Sequence, residues 1–267
     1  MSKDGHIHSH YCPHGTKDSF QSYVKKAIEL GFKEITFTEH APLPEGFIDP
    51  APTMDSAMVL DDLHTYLNEI EMLKQQFTGQ IKINAGLEVD YIEGFEKETK
   101  DFLNNVGPHL DDAILSVHFL KMNNQYECMD YSPDVFAKLV DGLGSVEAVH
   151  KKYYDTLIAS VHSDLGPYKP KRIGHITLAH KFQLKFPITT RFDKEVTELL
   201  KAIKEHDYEL DYNGAGCAKP LCREPYPPQW VVEKALSLGI PLVYGSDAHQ
   251  VKDMGQGRDQ MVHMKTS

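Results

Sequence analysis

Gly5-His6-Ile7-His8-Ser9-His10 stands near the start of the chain, and the rest of the sequence falls into place around it. Successive side chains of an extended strand point to opposite faces. His6, His8 and His10 therefore share one face of a short strand over residues 5–9, with Ile7 on the other. Two imidazoles on one strand face can bind one metal ion. A purification tag is also His-rich and N-terminal, but Ile7 and Ser9 interrupt this run and no repetition follows. His14 lies just beyond it.

Outward from this stretch, helical and extended patterns alternate. Residues 19–30 are amphipathic and stop at Gly31. Ile35-Thr36-Phe37-Thr38 forms a β-rich run over 34–38 that ends in Glu39-His40. A proline-rich loop, 42–52, is long for a βα turn and reads as a lid. Helical patterns follow at 55–77, 95–106, 135–165 with a break at Gly142-Leu143-Gly144, 193–206 and 228–238. The last has Pro228 in its first turn and Gly239 after its end. Strand-like runs occupy 81–89, 113–118, 172–175, 208–213 and 241–245. About seven strands alternating with helices predict a parallel α/β sheet. No GxGxxG follows the first strand and no GxxxxGK[ST] is present, which removes the two commonest nucleotide-binding readings.

A chain of 267 residues with 41% hydrophobic residues suits one α/β barrel or two small domains. No linker or repeat interrupts it, and the stretches 41–54 and 214–228 read as functional loops, so a single domain over 1–267 is expected. The formal net charge of −11 disfavours a nucleic-acid partner. No apolar run reaches the ~18 residues of a membrane span, so no membrane partner is expected, and no signal peptide is visible. Cys12, Cys128, Cys217 and Cys222 form no CxxC pair, which points to a reducing cytoplasm. Fifteen histidines beside one tryptophan are the compositional feature that needs a reason.

That reason lies at the strand ends. His6 and His8 fall on the first strand, His40 ends the second, Glu88 the third and His118 the fourth. His175 ends the fifth, and Asp247 with His249 follow the last. In a parallel barrel the C-terminal strand ends converge on one face, where active sites are built. Imidazole and carboxylate together hold divalent ions. Glu88 is a lone carboxylate in an apolar strand, and a buried carboxylate needs a charged partner.

The ordered set Gly5-His6-Ile7-His8-Ser9, Thr38-Glu39-His40, Gly86-Leu87-Glu88, Ser116-Val117-His118, Gly174-His175 and Ser246-Asp247-Ala248-His249 resembles the motifs of the PHP (polymerase and histidinol phosphatase) family. The likeness spans nearly the whole chain. Glu88-Val89-Asp90-Tyr91, Ser116-Val117-His118-Phe119 and Glu224-Pro225-Tyr226-Pro227 look like its histidinol-phosphatase branch. The resemblance implies a distorted (β/α)7 barrel with three divalent ions, zinc, iron or manganese, at the C-terminal rim. By that resemblance His6, His8, Glu88 and Asp247 hold one ion. Glu88 bridges to a second, completed by His118 and His175, and His14, His40 and His249 hold the third.

A hydroxide bridging two such ions is a nucleophile at neutral pH, and Asp247 or His249 is positioned in its motif to protonate the leaving alkoxide. Cations should complete a phosphate pocket: Lys181, near His175, and Lys219 and Arg223 in the 214–227 loop. Related sequences tend to carry Arg near the positions of His180-Lys181 and Ala218-Lys219, and this chain departs from that. His10 is expected to support the site or touch substrate. Glu39 is expected to orient His40 as a supporting carboxylate, Asp90, two residues after Glu88 and on its face, to carry a similar supporting role, and Glu45 and Asp49 to reach a substrate amine from the lid. His64, His109, His150, His162, His206 and His263 read as surface or packing residues.

The expected activity is hydrolysis of L-histidinol phosphate in histidine biosynthesis, with a small phosphate monoester as partner. A PHP-type phosphoesterase acting on another small ester or a nucleotide is the alternative. A non-catalytic metal-binding or polymerase-accessory module is the third reading, and the full ligand set counts against it.

Overall fold

The computed structural model describes residues 2–261. The strands are β1 (Lys3–Ile7), β2 (Glu34–His40), β3 (Lys82–Asp90), β4 (Asp112–Ser116), β5 (Phe119–Met122), β6 (Gln125–Cys128), β7 (Arg172–Ile173), β8 (Glu209–Asn213) and β9 (Leu242–Gly245). The helices are α1 (Phe20–Glu29), α2 (Leu63–Gln76), α3 (Glu96–Val106), α4 (Pro133–Leu143), α5 (Val146–His162), α6 (Asp193–Glu205), α7 (Ala215–Ala218) and α8 (Gln229–Ser237).

Seven strands form one parallel sheet in the order β1-β2-β3-β4-β7-β8-β9. Its two edges meet. Ile7 bridges Ala248 in parallel, Asp247 N donates to His6 O at 2.7 Å, and His8 N donates to Ala248 O at 3.0 Å. The sheet is thus a nearly closed, distorted barrel of seven strands, as the sequence predicts. β2 and β3 are buried along nearly their whole length, as strands of an enclosed parallel sheet must be.

Local chemistry sets the helix ends. Ser19, Ser132 and Ser145 cap α1, α4 and α5 by accepting from backbone N–H groups of Ser22, Val135 and Ala148. Gly144 ends α4 at φ 96°, the left-handed conformation glycine adopts without strain, so the expected break within 135–165 is a true turn between two helices.

Two expectations need correction. The helix expected over 55–77 begins only at Leu63, after a single 3₁₀ turn at Leu60–Asp62. Residues 55 and 56 instead belong to the loop, where Asp49 accepts from Ser56 N and Oγ at 2.9 Å. The antiparallel hairpin β5–β6 was not expected at all. Its turn is Asn123-Asn124, both at positive φ, the residues that a two-residue hairpin turn favours. The hairpin leads the chain back to the barrel rim, where Met129 N donates to His118 O at 2.8 Å.

Candidate metal centre

Glu88 sits near the C-terminal end of β3 with about 1% of its surface exposed. Imidazoles approach it from several strands. His175 Nε2 lies 2.9 Å and His118 Nε2 3.7 Å from its Oε1, while His40 Nδ1, His6 Nε2 and His8 Nε2 lie 3.1, 3.4 and 3.5 Å from its Oε2. Ser116 Oγ donates to Oε1 at 2.6 Å. Asp247 faces the same cluster, its Oδ1 3.2 Å from His8 Nε2 and 3.8 Å from His6 Nε2. Two glycines make room. A Cβ on Gly174 would stand 2.1 Å from Ser116 Oγ, and one on Gly245 would stand 2.5 Å from both Asp211 Oδ1 and His6 Cβ.

Three imidazoles are aimed by carboxylates behind them. His6 Nδ1 donates to Asp211 Oδ2 at 2.8 Å, His8 Nδ1 to Glu39 Oε1 at 3.1 Å and His118 Nδ1 to Asp90 Oδ1 at 2.8 Å. Each of these bonds fixes the tautomer and leaves Nε2 directed into the cluster, the arrangement that orients histidine ligands of metals. Asp211 was not singled out in the sequence. Glu39 serves His8 rather than the ring of His40, correcting that expectation; it also accepts from Ser9 N at 2.8 Å and Ser9 Oγ at 2.6 Å. Asp90 has the supporting role expected of it, and the ring it supports is that of His118.

The electrostatics of the cluster are those of a site built for positive charge. Burial would raise the Glu88 pKa, but the charges of His6 and His118 outweigh it and hold the carboxyl well below its ordinary value. Asp247 is likewise held well below its ordinary range, since His6 and His8 outweigh its burial. Burial opposes a charge on His8, yet hydrogen bonds with Asp247 and Glu39 push its pKa up to about 9. His118 reaches about 10 against the same penalty, through Asp90 and Glu88. His40 and His249 go down, by burial and by the charge on His8.

This donor set fits divalent metal. Ligand atoms gather in three groups, each with its atoms within 4.8 Å of one another: His6, His8 and Asp247; Glu88, His118 and His175; and His8, Cys12, His40 and His249. His40 Nδ1 is buried and, although 3.1 Å from Glu88 Oε2, makes no well-aligned hydrogen bond among the described residues, a position that an ion would satisfy. His14 stands at the edge of the third group. Its ring lies 5.1 Å from that of His249 and 5.2 Å from that of His40, and its Nδ1 donates to Asp55 O at 2.9 Å.

Above the cluster opens a cavity of about 360 Å³. Lys181 and Lys219 line it, as do Asp130, Tyr226 and Asp253. Lys181 Nζ lies 2.8 Å from Asp130 Oδ2; burial disfavours its charge, but Asp130 more than restores it and keeps the ammonium protonated. Asp130 was missed in the sequence because only the unexpected hairpin brings it here. Arg223 corrects a further expectation: it is exposed, lines a separate cavity of about 190 Å³, and its Nε donates to Pro220 O. His10 also falls outside the site. β1 ends at Ile7, the chain turns, and His10 packs on Tyr11 and Phe20 with Nε2 3.7 Å from Glu69. Neither Glu45 nor Asp49 lines the cavity; Asp49 ties its own loop together, and Asp55 and Ser56 reach the rim instead. His150 is buried packing, and His263 lies outside the described residues.

Comparison with known proteins bears on the whole barrel. The family model described as PHP domain matches residues 4–215. The histidinol-phosphatase of Bacillus subtilis is 48% identical over 257 residues, covering 96% of each chain. The crystal structure of the HisK protein from Listeria monocytogenes superposes with a TM-score of 0.93 at 40% identity, covering 97% of this chain and 99% of that one. The histidinol phosphate phosphatase of Lactococcus lactis, solved with zinc, L-histidinol and phosphate, shares the fold at a TM-score of 0.72 and 22% identity, over 100% of this chain and 94% of that one.

Proposed function

The chain belongs to the PHP domain family, and on that premise we propose that it is a metal-dependent phosphatase that converts L-histidinol phosphate to L-histidinol and phosphate in histidine biosynthesis. One observation carries the reaction class: a buried carboxylate, Glu88, ringed by imidazoles beneath a cavity lined by lysines. Likeness along nearly the full chain to histidinol phosphatases supports the substrate. Residues 1–267 are read as one domain, since His6 and His8 at β1 and Asp247 after β9 share the site.

We assign three ions to the cluster: one to His6, His8, Glu88 and Asp247, one to Glu88, His118 and His175, and one to His40 and His249 with His14 at its outer side. Divalent ions there supply charge neutralisation for the phosphate and activation of water at neutral pH. Zinc, iron and manganese all suit the imidazole and carboxylate donors. The protein's own part is orientation and proton handling. Lys181 and Lys219 bind phosphate oxygens from the cavity wall. Asp247 or His249 takes a proton from the attacking water and passes it to the departing alkoxide, because both face the cavity from the loop after β9. Asp55 and Asp253 line the same cavity and give it the negative charge that suits an ammonium group. The net charge of −11 supports a small substrate over a polyanion, and no helix among the described residues is long and apolar enough to cross a membrane.

Phosphate release from histidinol phosphate, from an analogue lacking the amine, and from a nucleotide and a sugar phosphate tests the reading. The expected result is a kcat/KM for histidinol phosphate well above the other three. Equal values across the panel would favour a phosphoesterase of broad specificity.

A further inference from the structure

We propose that Cys12 is a thiolate ligand to the ion held by His40 and His249, which makes this one position of the site soft. The inference rests on the metal assignment above and deepens it. Its starting point is the third ligand group, where Cys12 Sγ is within 4.8 Å of ligand nitrogens of His8, His40 and His249. Cys12 is fully buried, and no disulfide engages it.

The chain between β1 and α1 is shaped to deliver that sulfur. Cys12 N donates to Ser9 O at 3.1 Å, Gly15 N donates to Cys12 O at 3.1 Å, and Thr16 N donates to His249 O at 3.1 Å. The turn is therefore stitched both to itself and to the loop that carries His249. A Cβ on Gly15 would stand 3.1 Å from Cys12 Cβ and 3.3 Å from His249 O, so the packing is tight at this point. Burial, then the charge of Glu39, holds the Cys12 thiol well above its ordinary range, and the backbone N–H groups of His14 and Gly15 at the sulfur only partly oppose this, so it is the metal that must displace the proton. A free cysteine buried only as a small apolar residue would not need imidazoles on one side and N–H donors on the other.

His14 and Cys12 then approach the third ion from different sides. His14 is exposed and held from outside by Asp55 O, whereas Cys12 comes from within the barrel. As the metal–sulfur bond forms, the S–H bond breaks and its proton passes to solvent. Thiolate selects zinc or iron over manganese, which prefers oxygen donors.

Cobalt(II) alone is the probe, added to saturation to the full chain stripped of metal. Wild-type protein should show d–d bands together with a sulfur-to-cobalt charge-transfer band in the near ultraviolet. Cys12→Ser should lose the charge-transfer band and keep the d–d bands. Cys128→Ser, whose thiol also lines the cavity, should keep both. Wild type with d–d bands and no charge-transfer band overturns the role of Cys12 while leaving the metal site standing, and so does a band that survives in Cys12→Ser. Wild type with no d–d bands overturns the metal assignment itself. X-ray absorption of the zinc-loaded wild type needs no variant: it should detect a sulfur neighbour at ~2.3 Å, and a shell of nitrogen and oxygen alone refutes the proposal.

Discussion

Asp211 Oδ2 lies 2.8 Å from His6 Nδ1, and both side chains are wholly buried. The bond joins β8 to β1 inside the barrel. It fixes the His6 ring with Nε2 toward Glu88 and Asp247. Asn213 Nδ2 donates to Asp211 at 3.1 Å and to Asp247 Oδ2 at 3.1 Å, so one amide ties the supporting carboxylate to a ligand.

Asp211→Asn should therefore weaken metal binding without removing a ligand. Loss of such a supporting carboxylate costs about 10–100-fold in affinity. Competition against a chromophoric chelator measures it, and an unchanged affinity would show that His6 is held by packing alone.

Glu88→Gln and Lys219→Ala should separate the cluster from the cavity wall. Glu88 meets five imidazoles, so its loss should lower kcat/KM by ~10³-fold or more, about 4 kcal/mol of transition-state stabilisation, with fewer ions bound per chain. Lys219 is exposed at the rim and its replacement should mainly raise KM with the metal content intact. Equal losses in two folded variants would contradict the assignment of Glu88 to the ions.

Removing metal should cost stability as well as activity. An ion at 100 times its Kd stabilises the folded state by about 2.7 kcal/mol, so chelation should lower Tm, and added zinc should restore both Tm and turnover. A chelated protein with full activity and an unshifted Tm would refute the metal-dependent reading.

His150 predicts a pH effect away from the site. It is buried beside Phe136, Phe192 and His180, both ring nitrogens lack hydrogen-bond partners among the described residues, and burial, then the charge of His180, pushes its pKa down to about 3. The unfolded chain takes up a proton near pH 6.5 that the folded chain refuses. Its stabilising contribution is thus whole above pH 6.5 and drains as pH falls toward 3. At pH 5, 1.5 units below the ordinary value, the loss is about 2 kcal/mol at 1.36 kcal/mol per unit. Urea unfolding at pH 7.5 and pH 5 should show His150→Leu losing about that much less than wild type between the two pH values; the same pH dependence in both would refute the neutral buried imidazole.

Most of the proposed ligands were legible because they stand at or near strand ends, and strands announce themselves by β-branched and apolar runs. Ile114-Leu115-Ser116-Val117 brings His118 to the rim in this way, and Leu242 to Gly245 leads to Asp247. The supporting carboxylates were less legible. Asp211 occupies an ordinary polar position in Glu-Leu-Asp-Tyr-Asn, and only the barrel's closure puts it behind His6. Its i, i+2 relation to Asn213, two polar residues on one face of a buried strand, was the available signal. Asp130 depended on a hairpin whose only mark is Asn123-Asn124. Expecting His10 to extend the face of His6 and His8 assumed that the strand continued. The chain turns at Ser9, whose hydroxyl and amide both bind Glu39, and that contact lies between residues thirty apart.

The seam between β1 and β9 has a consequence for the order of events in the cell. His6 and His8 leave the ribosome about 240 residues before Asp247 and His249. The first group of ligands is split between them, so a nascent chain carries two reactive imidazoles long before it can hold an ion between them properly. Closure of the seam is a contact of very long range, the kind that forms slowly. Metal captured before closure would be held by a partial ligand set and released easily. The seam thus ties assembly of the site to synthesis through β9: a chain that stops before that strand carries His6, His8, Glu88, His118 and His175 but not Asp247, which faces them across the seam.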